Sequence, residues 1–315
     1  MEKFPDKKTL QAAFERVQQY AHRTPVLTSD TMNRLTGAKL FFKCENFQKG
    51  GAFKFRGAVN SVFTLTDEES ARGVATHSSG NHAQAVALAA RMRGIPAVIV
   101  MPESAPQVKV NAVKGYGAEV IMCPSTLKDR EATIAKVVDE RGCEFIHPSN
   151  DLRVIAGQAT AAMELLQDVE GVDILAAPVG GGGLLSGTSL AARYFSSSLQ
   201  VTGCEPARAD DAYRSYYGGT LVMPEHPDTI ADGLKTSLGS NTFPIIRENV
   251  GAIVLVEEDE IIEAMRLVWE RMKIVIEPSS AVPVAALLNK KIDAEGKRVG
   301  IILSGGNVDL GKLPW

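Results

Sequence analysis

Lys54 stands between Phe53 and Phe55 in the stretch GAFKFRGA, with a glycine at its first and seventh positions. An amine in apolar surroundings is disfavoured as an ammonium, and the neutral amine is a nucleophile able to condense with a carbonyl. Taken alone, the stretch reads as a strand edge, with Phe53 and Phe55 turned inward and Lys54 and Arg56 facing water. The loops elsewhere in the chain favour chemistry. The apolar run DILAAPV leads straight into Gly180, Gly181, Gly182 and Gly183 and then into a helical pattern. Consecutive glycines let the main chain form a cup of N–H groups at a helix N-terminus, a phosphate site favoured by the helix dipole. A tight turn alone needs fewer glycines. The dinucleotide fingerprint fails because Leu185 or Ser186 occupies the place of its last glycine, although Glu205 does lie at the end of the next strand. No Gly-Lys-Ser/Thr follows either, so a small phosphate monoester remains. His77-Ser78-Ser79-Gly80-Asn81-His82 is a second loop between a strand and a helix. A helix cap explains one of its residues; the whole run suits a substrate carboxylate. Ser304-Gly305-Gly306-Asn307 is a third, where a serine cap is a fair alternative. An amine, a phosphate cup and hydroxyl-bearing loops together suit pyridoxal phosphate, which needs a carbonyl-binding amine, an anion site and a partner for its ring nitrogen.

The elements that must position these groups follow from periodicity. Leu10, Phe14, Val17 and Ala21 have helical spacing, and LFFKCENF reads as a strand. From Gly73 to Cys123, and again from Ile155 onward, short apolar strands alternate with helices, which implies parallel sheets with right-handed crossovers. The expected class is α/β: two open, twisted, mostly parallel sheets with helices on both faces. Residues 1–68 and 151–315 would form a large domain and residues 73–148 a small one, with the site between them. At 315 residues the chain is long enough for two cores. A net charge of −3 with no dense basic block argues against nucleic acid. No signal peptide or membrane span is legible, so cytoplasmic residence is expected. The four cysteines, Cys44, Cys123, Cys143 and Cys204, are far apart among apolar neighbours and read as buried thiols. The five histidines lack the spacing of a zinc hydrolase.

On the motifs KCENFQKGGAFKFRGA, HSSGNHAQAVALAA, GGGGLLSG, CEPARADDAYRS, TIADGLKTSLG, RMKIVIEPSSA and LSGGNVDL, the chain resembles the type II pyridoxal-phosphate enzymes, in their serine racemase and serine/threonine dehydratase branch. The resemblance implies that Lys54 carries the cofactor, Phe53 stacks on its ring, Asn81 binds its phenolic oxygen, Gly180 to Gly183 hold its phosphate and Ser304 faces its ring nitrogen. It implies that Ser79 is an acid/base on the face opposite Lys54, as racemisation requires. Ser78, Ser79, Asn81 and His82 would hold the substrate carboxylate. Glu205, Asp211 and the Ala209 carbonyl would hold Mg²⁺, or Ca²⁺ or Mn²⁺, the acidic pair otherwise being a solvated helix start. A homodimer is also implied.

The implied reaction is α,β-elimination and racemisation of β-hydroxy amino acids such as serine and threonine. Arg130 lies where relatives with dicarboxylate affinity place an arginine, and a surface arginine is the equal alternative. With GAFKFRGA it makes threo-3-hydroxyaspartate a serious substrate, or the substrate of a dedicated ammonia-lyase. A nicotinamide dehydrogenase is the rival of another class, opposed by the failed fingerprint. Departures are informative. Gly50-Gly51-Ala52 replaces Thr-Gly-Ser ahead of Phe-Lys, and Asp30 and Gly50 stand where ATP-activated racemases have a small polar run and a threonine, so nucleotide activation is not expected. The chain stops after SGGNVDL, so feedback through a C-terminal regulatory domain is not expected either.

Overall fold

Runs such as AVIVMP and ILAAP are apolar at every position, the pattern of strands covered on both faces. The computed structural model, which describes residues 4–196, 198–223 and 227–315, places them inside two sheets; the first three residues of the charged N-terminus lie outside it. The strands are β1 (Val26–Leu27), β2 (Lys39–Cys44), β3 (Val74–His77), β4 (Ala97–Pro102), β5 (Glu119–Cys123), β6 (Glu144–Phe145), β7 (Ile174–Pro178), β8 (Gln200–Pro206), β9 (Ala252–Val256) and β10 (Arg298–Leu303). The larger sheet has the order β1-β2-β10-β7-β8-β9, parallel except for β1 against β2. The smaller, β5-β4-β3-β6, is parallel throughout. Alternate residues feed opposite layers. Leu40, Ile174, Val299 and Ile301 pack against the helices Glu258–Met272 and Pro278–Leu288, whereas Leu175, Ala177 and Ile302 pack against Leu152–Asp168 and Gly183–Phe195. In the smaller sheet Val74, Ile99 and Met101 face Lys54–Phe63 and Asn81–Arg93, and Val98 and Val100 face Leu127–Arg141. Because the strands run parallel, the loops after β3, β7, β8 and β10 all leave from carboxyl ends, where ligands of such sheets bind.

GAFKFRGA is not a strand edge. Ala52 makes an isolated bridge to Gly305, and Lys54 begins a helix running to Phe63. Gly57 meets the helix Leu152–Asp168 so closely that a Cβ there would lie 2.9 Å from Val154 O, and a Cβ on Gly157 would lie 2.6 Å from Gly57 Cα. The glycine pair is what lets these two helices touch backbone to backbone. Arg56, expected to face water in the strand reading, is fully buried. Its Nε and Nη2 donate to both oxygens of Glu45 at 2.7 and 2.8 Å, and its Nη1 and Nη2 donate to both oxygens of Glu164 at 2.9 and 2.8 Å. Lys43 Nζ completes the cluster, donating to Glu164 at 2.6 Å and to Thr24 O at 2.7 Å. Two cations and two anions, none with appreciable exposure, thus neutralise one another beneath the turn that carries Lys54.

A buried ion whose partner is removed costs far more than a surface pair. Arg56→Ala should therefore lower the unfolding free energy by about 3–5 kcal/mol in a denaturant titration, because Glu45 and Glu164 lose their shared partner. Arg23→Ala, which breaks the exposed pair with Asp168, should cost at most about 1 kcal/mol. Equal losses would show that the inner cluster contributes no more than a surface contact.

Candidate active site

Lys54 opens its helix at a residue whose preceding position, Phe53, provides no side-chain cap. Its Nζ donates to Pro148 O at 2.8 Å and lies 5.2 Å from the centre of the Phe53 ring. Burial pulls the amine down to about 8, against the opposing pull of Glu277. The unsatisfied N–H groups of a first helical turn act in the same direction as burial. The loop after β10 closes the site from beside it: Phe53 N donates to Ser304 O at 2.9 Å, and Gly306 N to Gly51 O at 2.9 Å. Ser304 is buried, with its Oγ 3.1 Å from Ser280 Oγ. Ser280 accepts from Gly305 N at 2.7 Å and donates to Gly305 O at 2.6 Å, so its own proton is committed and the Ser304 hydroxyl is the adjustable member of the pair.

The glycine tetrad follows β7 and opens the helix Gly183–Phe195, which has no side-chain cap and no acidic residue in its first turn. Gly182 has φ 80°, a left-handed backbone suited to glycine, and a Cβ there would meet Leu238, Thr242 and Ile246 within 3 Å. A Cβ on Gly181 would sit 2.5 Å from Ser149 Oγ, next to Pro148 and so next to the Lys54 amine. The amine and the uncapped helix end therefore lie in one cleft. An uncapped N-terminus with an all-glycine approach is a cradle for a phosphate.

The loop after β3 reaches the same region through Asn81. Asn81 Nδ2 donates to Glu277 Oε1 at 2.9 Å, and its helix, Asn81–Arg93, also starts without a side-chain cap. Ser78 Oγ accepts from Gly80 N at 3.2 Å, and Ser78 and Ser79 are both half-buried. The ring of His82 is turned away from the expected role: its Nε2 donates to Ile146 O at 3.2 Å, leaving Nδ1 buried, unprotonated and without a described partner. Burial, with the Lys54 charge nearby, holds that ring well below its ordinary pKa. A neutral ring presenting an acceptor cannot hold a carboxylate, so only the main-chain N–H of His82 is suited to that task.

Arg130 sits in the first turn of Leu127–Arg141, half-buried, with its Nε buried and unpartnered among the described residues. Its charge acts on His77, whose pKa falls to about 4 through burial first and then through the electrostatic effects of His147 and Arg130. No described contact joins Arg130 to Lys54. Glu205 and Asp211 are fully buried, with Ala209 in the short turn between them. Burial raises Glu205 to about 9, with Asp211 adding to the effect, and raises Asp211 to about 7. Glu205 accepts from the N–H groups of Ala212 and Tyr213 at 2.8 and 2.7 Å, but both oxygens of Asp211 lack a described partner. Orphaned buried carboxylate oxygens beside a second acid and a carbonyl form a donor set for a hard cation. Among the described residues no group of three or more His, Cys, Asp or Glu is placed to hold a metal. All four cysteines are buried and free, and no described helix is long and apolar enough to cross a membrane.

Sequence reasoning missed Glu277, Ser149, Ser280 and His147. The first carried a signal: it is the lone charge in the apolar run IVIEPSSAV. The others are ordinary residues whose role comes from tertiary placement.

A family model described as "Pyridoxal-phosphate dependent enzyme" matches residues 17–305. The chain is 52% identical over 310 residues to a serine racemase of Dictyostelium discoideum, covering 97% of this chain and 96% of that one. It is 50% identical over 311 residues to a beta-hydroxyaspartate dehydratase of Paracoccus denitrificans, covering 99% of both. The crystal structure of the Dictyostelium discoideum serine racemase superposes with a TM-score of 0.93 at 51% identity, covering 98% of this chain and 100% of that one.

With its pKa near 8, the Lys54 amine gains its reactive neutral form as pH rises towards that value. Uptake of pyridoxal phosphate by the cofactor-free chain, followed by visible absorbance, should accelerate from about pH 6 to about pH 8 and then level off. Lys54→Ala should form no such band. A rate that keeps climbing to the ordinary lysine range would mean the amine is not desolvated.

Proposed function

Because this chain belongs to the pyridoxal-phosphate dependent enzymes, we propose that its cleft eliminates water from, and racemises, β-hydroxy amino acids, with threo-3-hydroxyaspartate among its substrates. The observation that carries the reading is the desolvated Lys54 amine beside an uncapped, all-glycine helix N-terminus. The residues fit the cofactor: Lys54 for its aldehyde, Gly180 to Gly183 for its phosphate, Phe53 against its ring, Asn81 for its phenolic oxygen and Ser304 for its ring nitrogen. When bound, pyridoxal phosphate supplies an electron sink that acidifies the Cα–H of an amino acid attached to it.

The chain's own groups do the rest. Lys54, poised near 8, is basic enough to take the Cα proton and acidic enough to return one. Ser79, in the loop before the helix Asn81–Arg93, exchanges a proton at Cα from the other face. The substrate carboxylate is held by Ser78, Ser79 and the open N-terminus of that helix, through the main-chain N–H groups of Asn81 and His82. Ser304 would hold the ring nitrogen through a hydroxyl, which unlike a carboxylate does not force that nitrogen to stay protonated. Arg130, with its buried and unpartnered Nε, is suited to a second carboxylate. The similarity to a hydroxyaspartate dehydratase supports that substrate. Glu205, Asp211 and the Ala209 carbonyl would hold Mg²⁺ or another hard divalent ion, a role supported by the orphaned Asp211 oxygens. A homodimer belongs to the same reading.

The deciding experiment is turnover of L-serine, D-serine, L-threonine and both threo-3-hydroxyaspartate enantiomers, scored for keto acid and for inverted amino acid. Arg130→Ala should reduce kcat/KM for hydroxyaspartate at least about tenfold more than for serine, the scale of one charge-assisted contact; an equal change would remove the case for a dicarboxylate.

Mg²⁺ should raise the unfolding midpoint with the logarithm of its concentration once above its dissociation constant, with a stabilisation of about 2.7 kcal/mol at a hundredfold excess. Asp211→Asn should abolish that rise. A rise that survives the substitution would place the ion elsewhere.

A further inference from the structure

Asn81 is braced at both ends of its amide, and the braces fix which end is which. Asn307 Nδ2 donates to Gly50 O at 2.7 Å, and a main-chain carbonyl only accepts, so the nitrogen of Asn307 is unambiguous. The same Nδ2 then donates its second hydrogen to Asn81 Oδ1 at 3.0 Å. With its oxygen on that side, Asn81 turns Nδ2 to Glu277 Oε1 at 2.9 Å. One N–H of Nδ2 is used there; the other has no partner among the described residues.

Glu277 is held for this contact. It is 4% exposed, and its own N–H donates to Gly305 O at 3.0 Å. A Cβ on Gly305 would lie 2.6 Å from its Oε1, so the glycine beside Ser304 is what admits the carboxylate. We propose that Glu277 is a positioning residue, which together with Asn307 locks the Asn81 amide so that its remaining N–H is offered to the phenolic oxygen of bound pyridoxal phosphate. This rests on the cofactor reading above and adds to it the residues that orient the contact. Without Glu277 the amide loses the acceptor that holds its nitrogen in place, and the cofactor then meets a mixture of donor and acceptor.

The test reads the cofactor's own absorbance and affinity rather than turnover. In the loaded chain, Glu277→Ala should move the visible band to shorter wavelength and weaken cofactor binding about tenfold, the scale of one lost hydrogen bond. Asn307→Ala removes the other brace and should move the band the same way. Glu277→Gln keeps an oxygen able to accept from Nδ2, so its band should match the wild type and its affinity should stay within about threefold. Should Glu277→Ala fail to fold, Asn307→Ala and Glu277→Gln decide between the outcomes. An unmoved band and unchanged affinity in the alanine variants that fold overturn the proposal while leaving the cofactor reading intact. A wild-type chain that forms no band at all overturns both.

Discussion

Everything at this site depends on keeping one amine short of its charge. Lys54 lies in the first turn of a helix, among N–H groups carrying partial positive charge, and in surroundings that strip water from its ammonium. Either effect alone would push a lysine towards its neutral form. Such a placement is unfavourable for folding, so the turn that bears it must be held by something else. The four-charge cluster of Lys43, Glu45, Arg56 and Glu164 does this from two residues away, joining β2, the lysine's helix and the long helix Leu152–Asp168. The cluster is neutral as a whole, so it anchors the turn without adding net charge beside the amine.

The rest of the architecture brings loops to that amine. Within the larger sheet parallel strands send their carboxyl ends the same way, so β7 and β10, far apart in sequence, send their loops out on one side, and hydrogen bonds from Asn81 to Glu277 and Asn307 tie the loop after β3 of the smaller sheet to them. Each loop brings a different chemistry: an open helix start with hydroxyls, a glycine approach to a second open helix, and a serine paired with another serine. Two sheets are needed because the hydroxyl loop leaves the smaller sheet and the other two leave the larger. The three loops therefore rise from separately packed cores.

Much of this is legible in the sequence. Fully apolar strands alternating with helices announce parallel sheets, and four glycines after a strand announce a tight entry into a helix with no side-chain cap, because both patterns are local. The lysine segment is harder. Its alternation of large apolar and charged residues mimics a strand, and what makes it a helix is tertiary: Arg56 has a partner in Glu164, 108 positions away, and Gly57 fits against a backbone just as distant. Residue identity does not settle the ring of His82 either: the carbonyl of Ile146 claims its one proton. Which nitrogen of a ring is protonated, and which way an amide faces, are fixed by neighbours that a linear pattern does not contain.

Glu277 shows why the amine is not driven further. Burial lowers Lys54, but the Glu277 carboxylate acts on it in the opposite direction, and burial together with Asp232 raises that carboxylate to about 7. An amine pushed well below neutrality would react readily but would be a poor base, because it would hold a captured proton too weakly. One left at its ordinary value would stay charged. The opposition between burial and a nearby acid sets Lys54 near 8, where both forms are accessible at neutral pH. The same carboxylate orients Asn81, so the proton affinity of the base and the geometry of the hydrogen-bonding amide are governed by a single side chain. Glu277→Ala must therefore change both together, whereas a substitution at Asn307 reaches only the amide.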